Sequence, residues 1–192
     1  MASVANTSAS TQRGQGKVLA RGMSLVEMLC TLAITAVLLS GVLPMLNDLR
    51  ASQLLHATAA LLETDIQLAR SQALASGESV RLSVQVLPAG GSCYVIHTGP
   101  ANACRCNGGG EARCDVGITL RRLVEQPLAT GITLAPVQRS ILFDAGKGTV
   151  TPTATFTVTD REGRSIHQIV NIMGRVRSCT PNAKLGGLRA CA

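Results

Sequence analysis

Residues 28–46 read MLCTLAITAVLLSGVLPML, 19 residues in a row without a charge. As a helix, such a run is long enough to cross a hydrocarbon core of about 30 Å with every backbone polar group bonded inside the segment. Glu27 sits immediately before it, and residues 1–22 carry Arg13, Lys17 and Arg21 with no acid. Basic residues ahead of an apolar span stay on the cytoplasmic side, which predicts an inside N-terminus and an outside C-terminal part. A secretory signal would end in a small-x-small cleavage site, whereas this run passes into a second helical pattern, so the segment is expected to be retained. Pro44 predicts a bend in the helix without ending it.

Beyond the span, Leu55, Ala59, Leu62, Ile66, Ala69 and Ala73 recur at three- and four-residue steps. Glu63, Asp65, Gln67 and Arg70 fall between them, which describes an amphipathic helix ending near Gly77. After Gly77 the pattern changes to short β-branched runs: 80–87, 94–98, 118–124, 132–134, 140–143, 153–159 and 167–172. Gly, Pro, Asn and Asp punctuate them, as in an antiparallel sheet or two packed sheets. The helical stripe must be buried somewhere, and that sheet is the one available surface. The expected fold class is therefore α+β.

Of the 192 residues, a leader and a membrane segment take about a quarter, leaving roughly 145, enough for one compact domain. Aromatics are 2% of the chain, Tyr94, Phe143 and Phe156, so its core is expected to be aliphatic. The net charge of +7 is uneven: residues 1–22 contribute +3, residues 161–192 contribute +5, and the middle is near neutral at −1. Residues 1–22 show no apolar period and are expected to be an unstructured cytoplasmic segment.

One of the 7 cysteines, Cys30, lies in the apolar run; Cys93, Cys104, Cys106, Cys114, Cys179 and Cys191 lie in loop-rich sequence downstream. An even set in such sequence reads as a disulfide framework in an oxidising compartment, though six cysteines leave many pairings open. Cys179 with Cys191, bracketing a short tail, is the favoured pair, a closure that stabilises by roughly 2–3 kcal/mol. The alternative of a zinc site from Cys104, Cys106, Cys114 and His97 fits poorly, because Cys-x-Cys lacks the usual two- to four-residue gap. No metal and no cofactor are expected.

Gly22-Met23-Ser24-Leu25-Val26-Glu27, leading straight into the apolar run, resembles the prepilin processing site of type IV pilins and type II secretion pseudopilins. The resemblance implies cleavage after Gly22 by prepilin peptidase and methylation of the new amino terminus at Met23, where such proteins usually have Phe. Physically, Gly22 gives a peptidase unhindered backbone at the membrane face, and Arg21 holds the leader inside. A carboxylate at the edge of an apolar span costs at worst roughly 2.5–3.5 kcal/mol, so Glu27 wants a partner. The resemblance names that partner as the charged amino terminus of a neighbouring filament subunit; an ordinary anchor would leave Glu27 among headgroups.

Residues 61–83, LLETDIQLARSQALASGESVRLS, resemble the corresponding stretch of GspH/FimT-type minor pilins and pseudopilins. The implied organisation is a leader over 1–22, a transmembrane helix over 23–48, an amphipathic helix over 49–77 packed on antiparallel sheet, and a periplasmic, disulfide-containing β domain over 78–192. The implied location is the bacterial inner membrane, single-pass, and then a filament with other pilins or pseudopilins. The insert from Cys93 to Cys114 is not part of the resemblance.

Gly174-Arg175-Val176-Arg177 resembles the C-terminal GRxR motif of FimT-like minor pilins that bind DNA in natural transformation. In an extended segment Arg175 and Arg177 point to one side, and Gly174 lets the chain turn. With Arg161, Arg164, Lys184 and Arg189 they could form the basic footprint of sequence-independent binding to double-stranded DNA. The scarcity of aromatics argues against a base-stacking platform. The competing reading is that these arginines are solvated or pair with acids of neighbouring subunits. No enzyme emerges: His56, His97 and His167 are scattered, and Asp144-Ala-Gly-Lys-Gly lacks the P-loop spacing and reads as a hairpin turn.

Overall fold

The computed structural model describes residues 23–181 and 185–191. Arg13, Lys17, Arg21, Gly22 and Lys184 lie outside the described residues. Among the described residues one α-helix, α1, runs Leu25–Ser76, and a short 3-10 turn spans Leu128–Thr130. Eleven strands follow: β1 Val80–Val86, β2 Gly91–Thr98, β3 Cys104–Cys106, β4 Ala112–Cys114, β5 Leu120–Pro127, β6 Thr133–Pro136, β7 Ser140–Phe143, β8 Val150–Thr151, β9 Ala154–Thr159, β10 Ser165–Val170 and β11 Val176–Cys179. They form a five-stranded sheet in the order β5-β2-β1-β7-β8, a four-stranded sheet in the order β11-β10-β9-β6, and the β3-β4 ribbon. Every pairing among them is antiparallel.

The chain divides into two compact units, one up to Leu43 and one from Pro44 onward. In the first, the apolar face of α1 is uncovered: Leu29, Leu32, Val37 and Leu39 are all exposed. The helix contains a window long and apolar enough to cross a membrane, and none of that window is buried. Thr31 and Thr35 satisfy their hydroxyls on the carbonyls of Met28 and Leu32 within the same helix, the arrangement polar side chains adopt where water is absent.

In the second unit, Leu55, Ala59, Leu62, Ile66, Ala69 and Ala73 are each buried, and they share one core with β1, β2, β7, β9 and β10. Polar contacts fix the helix on both sheets. The Gln168 amide on β10 donates to the Ala59 carbonyl at 3.0 Å, and the Ser178 hydroxyl on β11 donates to Glu63 at 3.0 Å. On the other sheet Asp65 accepts from the Tyr94 hydroxyl at 2.7 Å and from Arg122 Nε at 2.6 Å.

Asp65 corrects the sequence reading, which placed it on the polar face. It is only 2% exposed. Its position explains this: it lies three residues after Leu62 and four before Ala69, inside the stripe itself. A carboxylate there survives because Tyr94 and Arg122 reach it. Burial, and then the bond to Asp65, push the Tyr94 hydroxyl far above its ordinary pKa.

Strand β2 is buried on both faces from Ser92 to His97. Tyr94 and Ile96 face the helix, while Cys93 and Val95 pack with Leu87, Cys104 and Cys106 in a second core. The cysteine-rich insert thus covers the outer face of the larger sheet. Its three-residue strands β3 and β4, and the short β8, escape a periodicity reading because they are too brief to show one. The 118–124 run begins as a strand at Leu120, with Ile118 packed into that second core instead.

His97 is fully buried at the end of β2. Its Nδ1 lies 2.8 Å from the Thr98 carbonyl, which can only accept, so Nδ1 carries the proton. Nε2, 3.2 Å from the Ser83 hydroxyl, is then the acceptor. Burial lowers the His97 pKa, and nearby Arg81 acts in the same direction, against the bond to Thr98. A histidine whose folded pKa lies below its unfolded value binds fewer protons when folded. Its stabilising effect is complete above the unfolded pKa, about 6.5, and fades as pH falls through the lower folded value. Thermal melts followed by circular dichroism should therefore show stability falling from about pH 6.5 downward, and His97→Gln should flatten that part of the profile.

Candidate functional site

Two regions carry the residues singled out in the sequence. At the start of α1, Ser24 is the cap: its hydroxyl accepts the Glu27 backbone N–H at 3.2 Å. Ser24-x-x-Glu27 has the spacing of a capping box, a signal readable in the sequence beforehand but not drawn from it. Glu27 also places its charge in the first helical turn, where the helix dipole favours an acid. Met23 and Glu27 are both exposed, and no ion pair to Glu27 is present among the described residues.

The second region is the edge of the four-stranded sheet. Asn171 organises the turn into β11: its side-chain oxygen accepts the backbone N–H of Met173 and of Arg175, and its carbonyl accepts Gly174 N–H at 2.9 Å. Gly174 has φ 71° and backs onto α1, where an added Cβ would lie 2.7 Å from Arg70 Cδ. Arg70 Nε meanwhile donates to the Gly148 carbonyl at 3.0 Å. The left-handed backbone is what requires glycine there, and an added Cβ would in addition press on the Arg70 side chain.

Ser178 and Gln168 point to α1, so the alternate residues of β11 and β10 face away from it. Arg175 and Arg177 are exposed and two residues apart. Arg177 stands opposite Ile169, which stands opposite Thr155, and His167 stands opposite Thr157. On the outer face His167 and Ile169 of β10 therefore separate the two arginines at the β11 edge from the half-buried threonines of β9. Neither arginine has an ion pair among the described residues.

The wider basic footprint is corrected by the structure. Arg164 is bound by Asp160 at 2.6 Å, Asp48 at 2.8 Å and Glu162 at 3.4 Å, and the contacts with Asp160 first and Asp48 next raise its pKa. Arg161 is turned onto the carbonyls of Leu128 and Ala129. Arg189 is exposed in the tail, whose backbone is tied down by Thr180 N–H to the Arg189 carbonyl and Cys191 N–H to the Thr180 carbonyl.

Disulfides join Cys93 to Cys106, Cys104 to Cys114 and Cys179 to Cys191, and Cys30 is free. With these sulfurs bonded to one another and the His97 ring engaged by Ser83 and Thr98, the set His97, Cys104, Cys106 and Cys114 offers no thiolates to a metal. The candidate ligand atoms of His167, Cys179 and Cys191 lie within 4.8 Å of one another, but two of them are the sulfurs of one disulfide. Asp144 caps the β7–β8 connection, its carboxylate accepting the N–H groups of Gly146 and Lys147.

Comparison with known families gives two matches. The family described as type II transport protein GspH matches residues 58–174, more than half of the chain. The chain belongs to the GspH family. The prokaryotic N-terminal methylation motif matches residues 19–43. The GspH match ends at Gly174, immediately before Arg175. Among solved structures, the crystal structure of the type IV minor pilin FimU from Pseudomonas aeruginosa PAO1 is similar, with 19% identity, a TM-score of 0.45, and coverage of 65% of this chain and 87% of that one. No curated protein matches this GspH-family sequence.

The family is one of structural pilins and pseudopilins, so assembly with other pilins and processing at the methylation motif follow from membership. The apolar N-terminal helix accords with a membrane anchor. Because Gly174 serves the fold, Gly174→Ala should cost about 1–3 kcal/mol in chemical denaturation followed by circular dichroism. Arg175→Ala, at an exposed position, should stay within about 0.5 kcal/mol.

Proposed function

We propose that this protein is a minor pilin or pseudopilin, cleaved after Gly22 and methylated at Met23, which joins or primes an extracytoplasmic filament and offers Arg175 and Arg177 to double-stranded DNA. Glu27 supplies the assembly contact. Exposed at the first turn of an apolar helix, it takes the charged amino terminus of the neighbouring subunit as its counter-ion. Within an apolar filament core that pairing relieves both charges at once.

The observation that supports the DNA arm is the contrast among the arginines. Arg161 and Arg164 are committed to carbonyls and carboxylates within the fold, whereas Arg175 and Arg177 stand exposed, two residues apart, at the β11 edge. Guanidinium groups are donors suited to phosphate, and such contacts carry no base information. Binding is then to the duplex backbone and independent of sequence.

In a mobility-shift titration with duplex DNA at several salt concentrations, Arg175→Ala with Arg177→Ala should weaken binding and lower the salt slope by about 2. An unchanged affinity and slope would remove the DNA arm. What would then stand is a purely structural pseudopilin of the type II protein secretion system, a reading that the description of the matched family favours. Glu27→Ala should leave the protein in the membrane fraction yet absent from sheared filaments, and normal incorporation would refute the role given to Glu27.

A further inference from the structure

Strand β1 outruns its neighbour. Val80 to Ser83 pair with Phe143 to Ser140 of β7, and Val84 N–H donates to the Arg139 carbonyl at 2.8 Å. Past Val84 no described strand pairs with β1 on that side. Backbone direction alternates along a strand, so Val86, two residues on from Val84, also turns its N–H and C=O to the open side. Leu87 N–H, by contrast, reaches Gly91 on the β2 side. The Val86 side chain is 79% exposed.

Across the gap lies β6, the outer strand of the other sheet. Its Ala135 faces Thr157 of β9 and Val137 N–H bonds the Thr155 carbonyl, so Leu134 and Pro136 turn their backbone outward. Leu134 N–H is taken by the Ser92 hydroxyl at 3.0 Å, and Pro136 has no N–H. Between the two edges is a groove of about 740 Å³, also lined by Arg105 and Arg139, a volume in the usual range for ligand sites.

The charges of this groove are unbalanced. Arg105 stands directly across the β3-β4 ribbon from Arg113, a like-charge pair that costs stability unless an anion joins it. Neither they nor Arg139 form an ion pair with any described residue, while Arg121, Arg122 and Arg164 each do. The rung carrying Arg105 is also clamped. Gln85 donates to the Cys104 carbonyl at 2.6 Å and accepts Cys106 N–H at 3.1 Å, and both flanking cysteines are disulfide-bonded. An arginine whose backbone is held in this way, beside an unpaired strand edge, leaves less of the chain to be ordered on binding.

We propose that this groove binds an extended, acidic peptide segment of a partner protein. The segment continues the sheet past the Arg139 end of β7, pairs with the open N–H and C=O of Val86, and brings carboxylates to Arg105 and Arg139. Strand addition draws affinity from the main chain and specificity from alternate side chains. A peptide backbone complements the open edge of β1, which a nucleic acid does not, and this favours a protein ligand. The site is separate from Arg175 and Arg177, which belong to the opposite edge of the four-stranded sheet.

The test uses the detergent-solubilised full chain and a short fluorescein-labelled peptide in which glutamate alternates with valine, read by fluorescence anisotropy. The glutamate peptide should bind and its lysine counterpart should not. Arg105→Glu with Arg139→Glu should weaken binding about tenfold, and the paired lysine variants should retain most of it. Val86→Pro, which deletes the edge N–H and leaves the charge alone, should weaken it too. Arg175→Ala with Arg177→Ala should leave peptide binding unchanged, so this site and the DNA arm fail separately. Circular dichroism and non-reducing mass measurement verify that each variant is folded with its disulfides formed. Failure of the glutamate peptide to bind, equal binding of both peptides, indifference to the Arg105/Arg139 reversal, or displacement of the peptide by duplex DNA would each overturn the proposal.

Discussion

The domain depends on one seam, the stripe of α1 from Leu55 to Ala73 pressed against two sheets that share its core. The small residues Ala59, Ala69 and Ala73 let the strands come close, and Leu55, Leu62 and Ile66 fill the space between them. Because one helix serves both sheets, anything that shifts it is felt at the edges of both.

Polar side chains fix the rotation and height of the helix in that seam. Asp65 is held by Tyr94 and Arg122 on one sheet, and Ala59 and Glu63 by Gln168 and Ser178 on the other. Burial of aliphatic surface is non-directional and tolerates small rotations, whereas a buried carboxylate that must meet a phenol and a guanidinium does not. The same placement sets the Gly174 turn, which rests against Arg70 of the helix. The orientation of Arg175 and Arg177 is thus a consequence of helix packing.

Exposed charge divides by how it is held. Many arginines of the domain are spent on its own carbonyls and acids, as with Arg164 among Asp48, Asp160 and Glu162. Among those left over, Arg177 stands at the β11 edge and Arg105 on the ribbon beside β1. Strand edges are where unpaired backbone and uncompensated charge coincide, and where other chains pair most readily.

Periodicity and local chemistry in the sequence determined the long helix, its apolar span, the residues of its buried stripe and the antiparallel character of the strands after it. Those signals are local, and burial of one helix face leaves few alternatives. Tertiary structure alone decided that Asp65 is buried, since its partners lie 29 and 57 residues away. It also decided that Arg164 is neutralised, in part by Asp48 at a separation of 116 residues, and that the cysteine-rich insert covers the second face of β2. A charge shows in sequence, but its partner is chosen by which strands the fold brings together, and no spacing along the chain encodes that.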